Sequence, residues 1–495
     1  MQERAAAEHS PALTRMCLKP SLTRGSARGA KEFLILMFPG PLHALFRALV
    51  RRSREIVFLA TFFGGLAGTL SPAAAQGLAI LRDAETEHVL KSYEAPLLVA
   101  AGLDPAAFHL YIVNDNSVNA FVAEGQNMFI QTGMLMFAKT PNELTGVMAH
   151  ETGHMAGGDL TRGSDAMSKA TIPLLISMVA GIAAMVAGAG AGGFAVMAAG
   201  QDIAMSQFLS FSRTQEATAD QRGMKYLNAT HQSGRGMLRT FERFANEEAM
   251  TERGAFASDH PASRDRVADL QVLVEASPYK DVKDSPEAQH ELEMIQAKLR
   301  GFIMPVESVL QYYPATDQSK EARYARAMAY FRKPDRDKAL AEINSLIKEE
   351  PNNPYFYETL GQIYVAMAQP VKGIGPYQKA VDLLPDEPLL RVALAGAQLA
   401  TDNPALAKSA LANLKIALDR QNDDPYAWWQ AAQAYGELND EPMAQLATAE
   451  QHYAVGDLYG AARFATLAEP KLKQGTPEWQ RANDIMTVSQ PHRRN

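Results

Sequence analysis

The stretch VMAHETGHMAGGD, Val147 to Asp159, holds two histidines four residues apart, His150 and His154, with Glu151 directly after the first. The residues around it punctuate a helix. Thr140 suits the N-cap, Pro141 the first helical position, and Glu143 stands three residues after the cap as in a capping box, while Gly157 and Gly158 mark the end. In an α-helix, positions i and i+4 project from one face, so both imidazoles can reach a single ion. Neutral imidazole is a good zinc ligand. Glu151, about 100° round the helix, falls beside such an ion rather than on it, where it can take a proton from a water. The competing reading is a helix that merely contains two histidines, and a third ligand decides between them.

That ligand is expected from an acid or a histidine on a separate helix. FSRTQEATAD, Phe211 to Asp220, supplies Glu216 and Asp220 on one face of a helix reading from about Arg213 to Leu227. Glu216 fits as the anionic ligand of a two-His, one-Glu site. Asp220, one turn on, fits as the acceptor that fixes the tautomer of a ligand imidazole. A solvated acidic face is the alternative, and Arg213 is a candidate partner for either acid. Asp159 reads as a helix-end or surface acid. The sequence has one cysteine, Cys17, upstream of the cleavage site described below. Thiolate ligands are therefore excluded, and one zinc per chain would rest on His and carboxylate donors.

HETGH followed by SRTQEATAD resembles the HtpX-type gluzincin metallopeptidases, and VNAFVAEGQNMFIQTGMLM, Val118 to Met136, is similar to that family's strand and turn before the metal helix. The resemblance implies His150, His154 and Glu216 as zinc ligands and Glu151 as catalytic base. In the family a His-Pro with an arginine six residues after the histidine follows the metal helices, and His260, Pro261 and Arg266 match that spacing. It implies for His260 either a plug on the open metal position or a donor to the oxyanion, with a plain loop histidine as the alternative, and for Arg266 a place behind the ligands. Unlike HtpX itself, the chain lacks clear transmembrane helices.

The N-terminal region reads as an address. Arg51, Arg52 and Arg54 precede an apolar run from Ile56 to Leu70 and the sequence SPAAAQ, which predicts a signal peptide cleaved after Ala75. The run is short for a membrane span. Export together with the resemblance points to the periplasm. Ala170 to Gln201 carries no charge, but glycines between Gly188 and Gly193 interrupt it. It reads as a buried helical hairpin or as one making peripheral membrane contact. A net charge of −7 over 495 residues, with signs interspersed, speaks against nucleic acid as a partner.

Residues 78 to 101 read as an amphipathic helix, FHLYIV and NMFIQT as strands, and NAFVAEGQ between them as a connection. Phe121 and Phe129 read as core residues rather than pocket residues, and the stretch from Asn119 to Thr132 offers an edge that can pair with an extended substrate. Beyond Ser277 the texture changes. Tyr330 and Tyr364, Ala339, Gly373 and Ala407, and Pro351 and Pro385 recur at intervals of 34 residues, the period of tetratricopeptide (TPR) helix pairs. About four repeats are legible, the terminal ones degenerate.

The expected architecture is mainly α. A leader and signal peptide occupy 1–75, an α+β metallopeptidase domain with a small sheet 76–276, a helical linker 277–318, an α-solenoid of TPR repeats 319–470, and a tail 471–495. The expected activity is that of an exported zinc endopeptidase acting on polypeptides. The resemblance implies quality control of outer-membrane proteins, with the repeats binding substrate or the outer-membrane assembly machinery. An interaction scaffold or chaperone with a latent zinc site is the reading from another functional class.

Overall fold

A computed structural model describes residues 79–123, 125–158, 213–250 and 264–489. The signal peptide, Asp159, the uncharged stretch 170–201, His260 and Pro261 lie outside the described residues.

A four-stranded sheet organises the first half. β1 (Ile80–Leu81) pairs antiparallel with β2 (Phe108–Val113), β2 runs parallel to β4 (Gln126–Gln131), and β3 (Ala120–Ala123) pairs antiparallel with β4 at the edge, giving the order β1-β2-β4-β3. Alternation along the strands sends Leu110, Ile112, Ala120, Val122, Met128 and Ile130 into the core. Two expectations are corrected here. NAFVAEGQ is not a plain connection, because Ala120–Ala123 forms the edge strand and Gly125 (φ 83°) makes the turn into β4. Phe121 and Phe129 are not core residues: being one step out of phase with the buried positions, they lie half-buried on the opposite face. There they stack with ring centroids 4.9 Å apart, and Phe129 stacks in turn on Tyr111 at 4.8 Å.

Helices cover the core face. α1 (Ala84–Ala101) starts later than the hydrophobic pattern suggests, because Asp83 caps it by accepting from the Thr86 N–H and the residues before it form β1. α2 (Thr132–Phe137) leads into α3 (Pro141–Gly157), which carries both histidines of the opening stretch. The caps follow the sequence. Thr140 Oγ1 accepts from the Glu143 N–H, and Gly158 closes the helix at φ 63°. The Glu143 carboxylate reaches back one residue further than a capping box, to the Lys139 N–H. The helix at 213–229, called α4, follows, then α5 (Arg235–Met250) and α6 (Arg264–Ala276).

α7 (Pro286–Ile303) belongs to both halves of the molecule. Leu292, Ile295 and Leu299 complete the core under the sheet, while Met294 packs with Tyr324, Ile343 and Phe356 of the repeats. Beyond a short α8 (Val306–Tyr312), paired helices follow: α9 (Lys320–Arg332) with α10 (Arg336–Glu349), α11 (Pro354–Ala366) with α12 (Pro370–Leu383), α13 (Pro388–Leu399) with α14 (Pro404–Arg420), α15 (Pro425–Glu437) with α16 (Glu441–Ala454). The stretch 471–495, read as a tail, instead contains α18 (Pro477–Val488). With α17 (Leu458–Ala468) it forms a fifth pair, burying Ala482 and Ile485 against Leu446 and Ala461.

The repeats fold back onto the sheet. The loop between α14 and α15 places Asp423 Oδ2 3.0 Å from His109 Nδ1 and 3.3 Å from the Tyr111 hydroxyl, while Asp424 accepts from Arg82 at 3.0 Å. On α7, Lys298 Nζ is buried 2.5 Å from Asp83 and 3.4 Å from both Glu85 and Glu358, so one ammonium joins α1 to the repeat helix α11.

Candidate metal centre

Two helices in backbone contact build the centre. A Cβ added at Gly153 would stand 2.6 Å from the Ala219 carbonyl oxygen, and one at Gly223 would stand 3.1 Å from Ala149. Glycine at both places lets α3 and α4 approach closely enough for side chains one turn apart on each to converge. Arg222 adds a hydrogen bond to the Gly153 carbonyl at 3.2 Å.

The ring nitrogens Nε2 of His150 and His154 lie 3.1 Å apart, and the Glu216 carboxylate stands 3.3 Å from the first and 3.4 Å from the second. All three donor atoms lie within 4.8 Å of one another, and all three residues are buried. Behind them, His150 Nδ1 lies 2.9 Å from Asp220 Oδ1. With Nδ1–H donating to that carboxylate, the lone pair of Nε2 faces the point of convergence. Two imidazoles and a carboxylate form the nitrogen and oxygen donor set that suits a zinc-type divalent ion, and nothing in the arrangement calls for a thiolate. Glu151 is fully buried on α3, next to His150.

Arg266, from α6, closes the cluster. Its guanidinium donates to Asp220 from Nε at 2.6 Å and Nη2 at 2.9 Å, pairs with Glu216 Oε2 at 2.7 Å, and lies 4.7 Å above the Phe241 ring. Arg213, the other sequence candidate for partnering these acids, is exposed. Burial on its own would raise the Asp220 carboxyl, but hydrogen bonds from Arg266 and His150, together with their charge, hold it below the usual range. Burial likewise works against the charge on Arg266, and Asp220, Glu216 and Glu151 outweigh it. Arg266 thus offsets part of the carboxylate charge buried around it.

The structure thus brings together His150, His154, Glu216, Asp220 and Arg266, with Glu151 alongside. Sequence reasoning missed Phe241, whose ring edge meets His150 with centroids 5.2 Å apart, and no pattern in α5 singles it out.

Peptidase family M48 matches residues 84–274. The beta-barrel assembly-enhancing protease of Yersinia pestis is 25% identical over 388 residues, 76% of this chain and 77% of that protein. A relative from Vibrio cholerae is 23% identical over 291 residues, 57% of this chain and 60% of that protein's own length. Among solved structures, YrrB, a TPR protein with an unusual peptide-binding site, superposes at a TM-score of 0.29 and 18% identity, over 37% of this chain and 91% of that chain. At that score the likeness carries no argument.

Proposed function

We propose that this chain, whose residues 84–274 form a family M48 peptidase domain, is a zinc-dependent endopeptidase of the bacterial envelope that hydrolyses misfolded or stalled polypeptides during outer-membrane protein assembly. The observation that carries the reading is the convergence of His150, His154 and Glu216 in one buried cluster. His150, His154 and Glu216 would hold one zinc per chain. Bound there, zinc supplies Lewis acidity toward a peptide carbonyl and a water.

The residues of the chain do the rest. Glu151, on the same helix as both imidazoles, accepts the proton of the attacking water and passes it to the departing amine. Asp220 would hold His150 in the tautomer that offers Nε2, and Arg266 favours the charged form of Asp220 in its buried setting while pairing with Glu216. His260 would act at the open side of the site, as a plug or as a donor to the oxyanion. β3 is bonded to β4 on one side, and its other edge, unpaired among the described residues, suits an extended, sequence-diverse substrate.

A role in outer-membrane assembly is suggested by the named activity of the Yersinia pestis relative. Periplasmic location rests on the signal-like sequence ending at Ala75; among the described residues no helix is long and apolar enough to cross a membrane. The helix pairs from 320 onward would present substrate or a partner of the assembly machinery.

The pairing of Glu216 with Arg266 favours one second reading, a scaffold or chaperone whose zinc site is latent. Glu151→Gln separates the two. An endopeptidase loses degradation of an unfolded substrate while keeping its zinc, whereas a scaffold shows no zinc-dependent degradation in the wild type to lose.

A further inference from the structure

Glu94 stands on α1, fully buried, apart from the cluster of His150, His154 and Glu216. Its Oε1 lies 2.5 Å from the Thr152 hydroxyl, also fully buried, and its Oε2 has no hydrogen-bond partner among the described residues. Thr152 follows Glu151 directly and sits between the two histidines on α3. The same hydroxyl lies 2.7 Å from the Met148 carbonyl one turn back.

A threonine hydroxyl has one proton to give. Directed to the Met148 carbonyl, in the helical back-bond open to threonine, it leaves the Thr152 oxygen as an acceptor, and the short contact is then filled by an O–H of Glu94. The surroundings favour that assignment. An ionised carboxylate at this depth, with one oxygen bare and no cation in contact among the described residues, is costly, whereas a neutral carboxylic acid needs one acceptor and has one. Burial pushes the Glu94 carboxyl well above the usual range, the Thr152 contact draws it down, and the charge of Glu151 pushes it up again.

We propose that Glu94 is a positioning residue, a neutral carboxylic acid that donates to Thr152 and so fixes the rotation of the metal helix that places Glu151. Because it is neutral, it sets that geometry without adding a second negative charge beside the base. The proposal rests on the peptidase reading of Glu151 given above.

The test compares Glu94→Gln, Glu94→Ala, Thr152→Val and Glu151→Gln in the full mature chain, with zinc content measured for each. A glutamine amide donates in place of the acid. Glu94→Gln therefore keeps kcat for an unfolded substrate within about twofold of wild type, with the same pH profile from about pH 6 to 9, whereas Glu94→Ala lowers kcat about tenfold at unchanged KM, the worth of one hydrogen bond. Thr152→Val, isosteric and unable to accept, shows the same loss and keeps the proposal testable if Glu94→Ala does not fold. In chelator-stripped protein the thermal shifts of Glu94→Ala and Thr152→Val are non-additive, and the protonated-carboxyl infrared signal loses one component in Glu94→Gln that Glu358→Gln retains. Glu94→Gln as impaired as Glu94→Ala, or Glu94→Ala and Thr152→Val both at wild-type kcat, overturns the proposal. Should Glu151→Gln itself keep cleaving, it is the peptidase reading that fails.

Discussion

The Nδ1 of His150 lies 2.9 Å from Oδ1 of Asp220, and the same Asp220 receives two hydrogen bonds from Arg266. In the proposed site, one carboxylate would therefore set the tautomer of a ligand imidazole, and it is itself held by a buried guanidinium. Asp220→Asn leaves the ligands in place but removes the charge that orients them. It is expected to weaken zinc binding about 10–100-fold, read by competition with a chelator of known affinity. An unchanged affinity contradicts the role given to Asp220.

The approach of α3 to α4 gives a second prediction. Gly153→Ala drives a methyl to 2.6 Å from the Ala219 carbonyl and must part the helices, separating His150 and His154 from Glu216. Zinc content and cleavage should fall together. Gly375→Ala, where an added Cβ meets nothing within 4 Å, serves as the control and should leave both intact. Equal metal content in the two variants would show that close helix contact does not build the site.

Lys298 joins α1 to the repeat helix α11. Its ammonium faces Asp83, Glu85 and Glu358 in a buried setting, so Lys298→Met leaves three acids uncompensated. Loss of about 3–5 kcal/mol is expected in chemical denaturation, the range for breaking a buried ion pair from one side. A loss under about 1 kcal/mol would mean that the acids are hydrated or rearranged.

Glu358 makes stability at that joint depend on pH. Burial lifts its carboxyl from 4.5 to about 7, against the pull of Lys298 and with a further push from Asp83 and Glu85. A raised carboxyl keeps its proton in the folded state after the unfolded chain has released it. This contribution is therefore full below pH 4.5 and is lost as pH rises toward about 7. The thermal midpoint of Glu358→Gln should fall less over that window than that of the wild type. Parallel curves for the two proteins refute the assignment.

The legible parts of this molecule are those set by local rules. Helix α3 could be bounded from Thr140, Pro141 and the terminal glycines, and its histidines placed on one face, because caps and the helical period depend on near neighbours in sequence. Glu216 and Asp220 were legible for the same reason. β3 was not, since AFVA is too short to display alternation, and the same ambiguity hid that Phe121 and Phe129 sit on the outer face. The choice of Arg266 over Arg213 required the packing of α6. Lys298, in a helix rich in charge, reads as solvated until α1 and α11 close over it. The α17–α18 pair has drifted from the repeat pattern, and its burial shows only in three dimensions.

His150, His154 and Glu216 would together hold one ion. Metal analysis of the purified mature chain, wild type beside Glu216→Ala and His150→Ala, tests this most directly. One zinc per wild-type chain, with occupancy lost in both variants while the fold persists, is the expected result. Substoichiometric zinc in the wild type, or variants that bind as well as it does, would contradict it.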